Sequence, residues 1–160
     1  MFRWYFDGES GVAARSVEEV CEWLARCEYC GDVELFNEVD FWQHPRTFEH
    51  LRKGDCEDHA LWAWRKLVEL GHHAEFFVGQ WLEGGGDGDG LHAWIVFEQQ
   101  GQRFVLEPVS KSEASMIRPL TTVQAVYVPH FSVDPAFTMR SHAGYLLYLK
   151  SRERRDHQAA

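Results

Sequence analysis

The sequence predicts an α+β domain with an antiparallel sheet. Two capped, amphipathic helical patterns fall in the first half of the chain, and strand-like runs linked by hairpin signals fill the second. The 160 residues, 45% hydrophobic and 14% aromatic, suit one well-packed domain rather than a disordered chain.

Taken in order, "FRWYF" (2–6) reads as a short strand followed by a turn. "SVEEVCEWLARCEYCG" (16–31) reads as a helix: Ser16 caps it, Glu19 completes a capping box, Val17, Val20, Cys21 and Leu24 form an apolar stripe, and Gly31 ends it. The next stretch holds Pro45 and mixed periods, so short turns or a brief helix around 46–52 are expected. A clearer helix starts after Asp55. Glu57 and Asp58 suit the positive end of its dipole, Ala60, Trp64, Leu67 and Val68 give it an apolar side, and Gly71 closes it. "AEFFVGQW" (74–81) is a strand, and "GGGDGDG" (84–90) is a flexible connector placed to act as a lid. "LHAWIVFE" (91–98) and "QRFVLEPV" (102–109) form a hairpin about Gln100-Gly101, and "VQAVYVPH" (123–130) is a further strand. Asp134-Pro135 signals a last helix, and 151–160 reads as a frayed tail.

Composition excludes several functions. A net charge of −9 disfavours nucleic acid and anionic membrane as partners. The basic run "KSRERRD" (150–156) reads as a solvated helix end or tail. No apolar run approaches the ~20 residues of a membrane span, and the start lacks a secretory signal, so a cytoplasmic location is expected. Four cysteines without such a signal do not suggest disulfides. Cys27-x-x-Cys30, with Cys21, His44 and His50, raises a zinc module, but a second ligand pair is missing and core packing is the better reading. No cofactor or metal is expected, and the sequence carries no signature of oligomeric state.

The hairpin brings chemistry together. With a two-residue turn at Gln100-Gly101, Gln99 faces Gln102, and His92 and Glu107 become diagonal neighbours on one sheet face, roughly 7–8 Å apart at the backbone. A one-residue slip would part them. Cys56 opens a helix just before the sheet. A thiol, a base and an acceptor that orients the base are the parts of cysteine catalysis. Asp55, Glu57 and Asp58 oppose a thiolate at Cys56, whereas the helix N-terminus and a facing imidazolium favour it.

"GDCEDHA" (54–60), "LHAW" (91–94), "FVLEPV" (104–109) and, upstream, "DFWQHP" (40–45) resemble the transglutaminase-like superfamily, closest to its small bacterial cysteine proteinases. The resemblance runs from Asp40 to Val109. It implies a papain-like core with a cysteine-bearing helix on an antiparallel sheet, Cys56 as nucleophile, His92 as general base and acid, and Glu107 as orienter. Trp42 matches a tryptophan that helps form the oxyanion site. Glu107 stands where the family usually has aspartate. Some secreted relatives bind calcium near the cysteine, which would make ligands of Asp55, Glu57 or Asp58, but no calcium loop is evident and these acids read first as a cap and dipole partners. The expected reaction is acyl transfer from an amide or peptide bond of a peptide or protein, by hydrolysis. The rival from another class is a non-catalytic relative that binds a peptide or partner protein in the same cleft.

Overall fold

The computed structural model describes residues 1–82 and 91–144. A 3-10 turn (Phe2–Phe6) leads to α1 (Val17–Ala25), β1 (Glu28–Tyr29), α2 (Asp32–Phe36), α3 (Pro45–Leu51), β2 (Lys53–Gly54) and α4 (Cys56–Glu69). Then come β3 (Ala74–Trp81), β4 (His92–Gln99), β5 (Gln102–Leu106), α5 (Glu113–Met116), β6 (Ile117–Pro119), α6 (Leu120–Val123), β7 (Tyr127–Val133) and β8 (Met139–Ser141).

The larger sheet runs β6-β5-β4-β3-β7-β8, with every neighbouring pair antiparallel. α4 lies on one face, where Leu61, Ala63, Trp64 and Leu67 share a buried cluster with Ala93, Ile95 and Phe97 of β4. Successive strand residues point to opposite faces. Trp94 and Val96 accordingly join Phe77, Val105, Val123 and Tyr127 in a second cluster on the far face. α1 and α3 cover the outer side of α4, with Trp23 stacked on Trp62 at 3.9 Å.

Several segments depart from the sequence expectations. Phe2–Phe6 is a 3-10 turn, not a strand. Its period of three residues puts Phe2 and Tyr5 on one side, and both are buried. α1 keeps its Ser16 cap, with Glu19 N–H donating to Ser16 Oγ at 3.3 Å, but stops at Ala25 instead of 31. There the chain leaves the helix to pair with β2, through Glu28 N–H to Arg52 O at 2.8 Å and Cys30 N–H to Gly54 O at 2.9 Å. The strand expected at 123–130 runs from Tyr127 to Val133, because Leu120–Val123 turns helical. Asp134 opens a turn, its Oδ1 accepting from Ala136 N–H and Thr138 N–H at 2.9 Å each, and the chain enters β8 where a helix was expected. The glycine-rich connector and proposed lid at 84–90 and the tail after 144 lie outside the described residues. No helix among those described is long and apolar enough to cross a membrane.

Candidate active site

The site is built where β5 parts from β4. Pairing between the two strands runs from Gln99–Gln102 to Ile95–Leu106 and stops there. Gln100 (φ 52°) and Gly101 (φ 73°) are both left-handed, the geometry of a two-residue hairpin turn whose twist matches its strands. The start of β4 is therefore released on that side, and Cys56, the first residue of α4, reaches into the opening. Its Sγ lies beside the Ala93 N–H, which favours the thiolate, and 4.0 Å from Leu91 O. The backbone on either side of His92 thus brackets the sulfur.

The same register brings His92 to Glu107. Glu107 follows β5 directly and is anchored through its own N–H to Met116 O at 2.7 Å. His92 Nε2 lies 2.9 Å from Glu107 Oε1 and 2.8 Å from Oε2. Both side chains are buried. With Nε2 donating to the carboxylate, Nδ1 is the ring nitrogen left for the thiol. No hydrogen bond joins the ring to the sulfur directly among the described residues.

Two aromatic residues complete this corner. Tyr127 O–H donates to Glu107 Oε2 at 2.9 Å, and Arg118 Nη2 donates to the Tyr127 oxygen at 3.1 Å. Trp81 stacks on the His92 ring at 5.1 Å with 28° between planes, and near-parallel to Tyr127 at 6.4 Å and 14°. Sequence reasoning missed Tyr127, Arg118 and Trp81 as site residues. Only the pairing of Tyr127 with Trp81 across β3 and β7 brings them in.

The acids around Cys56 form a partly buried cluster, in which Asp32, Glu57 and Asp58 are buried, Asp55 is half-buried and Asp40 is exposed. Carboxylate oxygens of Asp32, Asp40 and Glu57 lie within 4.8 Å of one another, as do those of Asp32, Asp55 and Asp58. Asp32 Oδ2 accepts from Phe41 N–H at 2.6 Å, and Asp58 accepts from the backbone N–H of Gln43 at 2.7 Å and from its side chain. Asp32 Oδ1 and Asp55 Oδ1 are buried with no hydrogen-bond partner. Burial, then hydrogen bonding to Asp55 and its charge, push Glu57 up to about 9. Burial also raises Asp55, and pushes Asp58 up to about 7. Glu57 Oε2 accepts from the Cys56 thiol at 3.3 Å. Burial first, then the charges of Glu57 and Asp55, hold that thiol well above its ordinary value, and only the Ala93 N–H works the other way.

The structure thus places Cys56, His92 and Glu107 around one strand split. Trp42 lies against Phe2 and Phe76, and its indole N–H donates to Asp40 Oδ1 at 2.8 Å. Asp55 occupies the N-cap position of α4 without a capping hydrogen bond from its side chain. Cys21, Cys27 and Cys30 are buried thiols, and none joins a group of three potential metal ligands among the described residues.

No protein-family model matches the sequence, and no curated protein matches it significantly. Solved structures do. Legionella pneumophila LapG aligns over 87% of this chain and 76% of its own, with a TM-score of 0.59 and 19% identity. Its calcium-bound structure aligns over 85% and 78%, with a TM-score of 0.57 and 19% identity. An EGTA-treated LapG aligns over 72% and 60%, at 0.55 and 20%. With α4 seated on an antiparallel sheet and its cysteine at the split between β4 and β5, the chain has the papain-like, transglutaminase-like fold that it shares with LapG.

Proposed function

We propose that this chain is a cysteine peptidase or amidase that works through Cys56, His92 and Glu107. The observation that carries the reading is the bracketing of the Cys56 sulfur by Leu91 and Ala93, with the Nε2 of the intervening histidine held by Glu107. His92 Nδ1 takes the thiol proton, and the sulfur attacks a substrate carbonyl. The tetrahedral oxyanion forms beside the backbone N–H of Cys56 at the start of α4. Trp42 would add its indole N–H only by leaving Asp40. The imidazolium, held in place by Glu107, returns its proton to the leaving amine, and the C–N bond breaks to leave a thioester. Water deprotonated by His92 then hydrolyses that thioester.

The acids fit a calcium ion. Asp32 and Asp55 each keep a buried oxygen without a partner, and carboxylates of Asp40, Glu57 and Asp58 converge on the same region. Calcium takes about 6–8 oxygens, a number these side chains and water can supply. Asp32, Asp55 and Glu57 would be its main holders. A bound cation would keep these carboxylates ionised and supply positive charge beside the sulfur, offsetting what now raises the thiol. That would answer why a nucleophile is set among acids.

Timed labelling with iodoacetamide, read by mass spectrometry, tests both parts. Cys56 is expected to label far faster than Cys21, Cys27 and Cys30, with His92→Gln slowing it and Cys56→Ala abolishing the fast phase. Calcium is expected to accelerate labelling and EGTA to reverse it. Slow, His92-independent labelling in both conditions would favour the non-catalytic rival, to which the raised thiol already lends weight.

A further inference from the structure

Glu107 is one methylene longer than the aspartate usual in this kind of site. A longer acid arm has one more rotatable bond and needs more restraint to hold a fixed orientation. The structure supplies that restraint from across the sheet. Tyr127, the first residue of β7, sends its hydroxyl to Glu107 Oε2 at 2.9 Å, the same oxygen that lies 2.8 Å from His92 Nε2. The contact to Oε1 from Val109 N–H is longer, at 3.5 Å. Tyr127 is itself pinned. Arg118 donates to its oxygen at 3.1 Å, Trp94 packs against its ring at 5.0 Å, and Trp81 lies parallel to both it and His92.

We infer that Tyr127, supported by Arg118, is a positioning residue that fixes the Glu107 carboxylate and through it the His92 ring. This deepens the proposed reading of the site and rests on it. The phenol is suited to the role, since burial and the Glu107 charge hold it above its ordinary value and leave it a constant donor. Arg118 orients the phenol while leaving the Glu107–His92 contact direct.

The test uses Tyr127→Phe, Glu107→Gln and the double variant, each checked by thermal melting, with the pH profile of Cys56 alkylation as readout. Wild-type labelling that depends on His92 establishes the underlying reading first. Tyr127→Phe is then expected to slow labelling about fivefold, the equivalent of one net hydrogen bond. It should also move the acid limb of the profile upward, because an imidazolium that has drifted favours the thiolate less. In the Glu107→Gln background the same change should add nothing, since Tyr127 acts through that carboxylate. A Tyr127→Phe protein that melts lower but keeps the wild-type pH profile, or equal effects in both backgrounds, would reduce Tyr127 to a packing role. Should Tyr127→Phe fail to fold, Arg118→Gln is read by the same profile, and an unmoved limb there counts against the inference. Wild-type labelling that ignores His92 would remove the reading and the inference together.

Discussion

Burial sets the chemistry of the residues around Cys56 more than their formal charge does. Glu57 is pushed up to about 9 and Asp58 to about 7, so without a cation the folded chain holds protons that the unfolded chain releases. Such groups stabilise the fold fully below their unfolded values, and that contribution is lost as pH rises to the folded ones. His59 works in the opposite sense. Burial lowers it to about 4, so its contribution is present above the ordinary histidine value and lost as pH falls toward 4. Of these three groups only Glu57 and Asp58 still change above about pH 6.5, and both changes lower stability. The melting temperature in EDTA is therefore expected to drop between pH 6.5 and 9. Glu57→Gln should flatten the part above pH 7, where Asp58 has already titrated. A melt that rises across that window would contradict the assignment. The candidate triad was legible because Cys56, His92 and Glu107 stand in motifs with fixed spacing. The acid cluster was not, because Asp32 lies more than twenty residues upstream and only the fold joins it to Asp55.

At the scale of elements, the hairpin carries the site, and its turn was the most legible feature in the sequence. Gln100-Gly101 fixes the register expected of a two-residue turn, from Gln99 facing Gln102 down to Ile95–Leu106. A single residue inserted at this turn should flip the following strand and part Glu107 from His92, abolishing fast Cys56 labelling while secondary structure persists in circular dichroism. The β3–β7 junction was not legible, since strands joined by no short turn leave no local signal of their pairing. A bulge falls between Val78 and Gly79, where a Cβ on Gly79 would stand 2.1 Å from Val128 O and 2.8 Å from Pro129 Cα. These are backbone atoms that cannot rotate aside. Gly79→Ala should force β7 away, cost about 3 kcal/mol or more by denaturant melting, and carry Tyr127 off Glu107. A near-neutral outcome would mean that β7 is held less tightly than its geometry implies. The N-terminal segment misled for a related reason. An aromatic-rich run suits a strand by propensity, but here two aromatics three residues apart are bound to one core.

Across the whole molecule, the two layers are tied together by a strap that the sequence did not reveal. Arg65 and Lys66 sit in the interior of α4 and are almost wholly buried. Arg65 donates to the carbonyls of Tyr5, Asp7 and Gly8, and Lys66 to Val12 O at 2.6 Å and to Ser10. Lys66 also pairs with Glu69 at 2.9 Å and with the buried Glu49 at 3.7 Å. Read as sequence, these cations are ordinary polar residues of an amphipathic helix. In the fold they hold the first dozen residues along α4, and Phe2 reaches over the helix to Trp42, Trp64, Phe76 and Phe131. The strap therefore bears on the site, because α4 carries the nucleophile and Trp42 lies beneath Phe2. Removing residues 1–12 would strip two buried cations of their carbonyl partners and expose aromatic rings of the main core. Each buried donor left without its acceptor costs about 1–3 kcal/mol, a large share of the whole stability of many domains. The truncated chain is expected to lose its cooperative melt and its fast Cys56 labelling together. Lys66→Met, which keeps the stem and drops the charge, should cost less than Lys66→Ala. A truncated chain that melts like the full one would show that α4 keeps its seat without the strap, and that the buried cations find water instead.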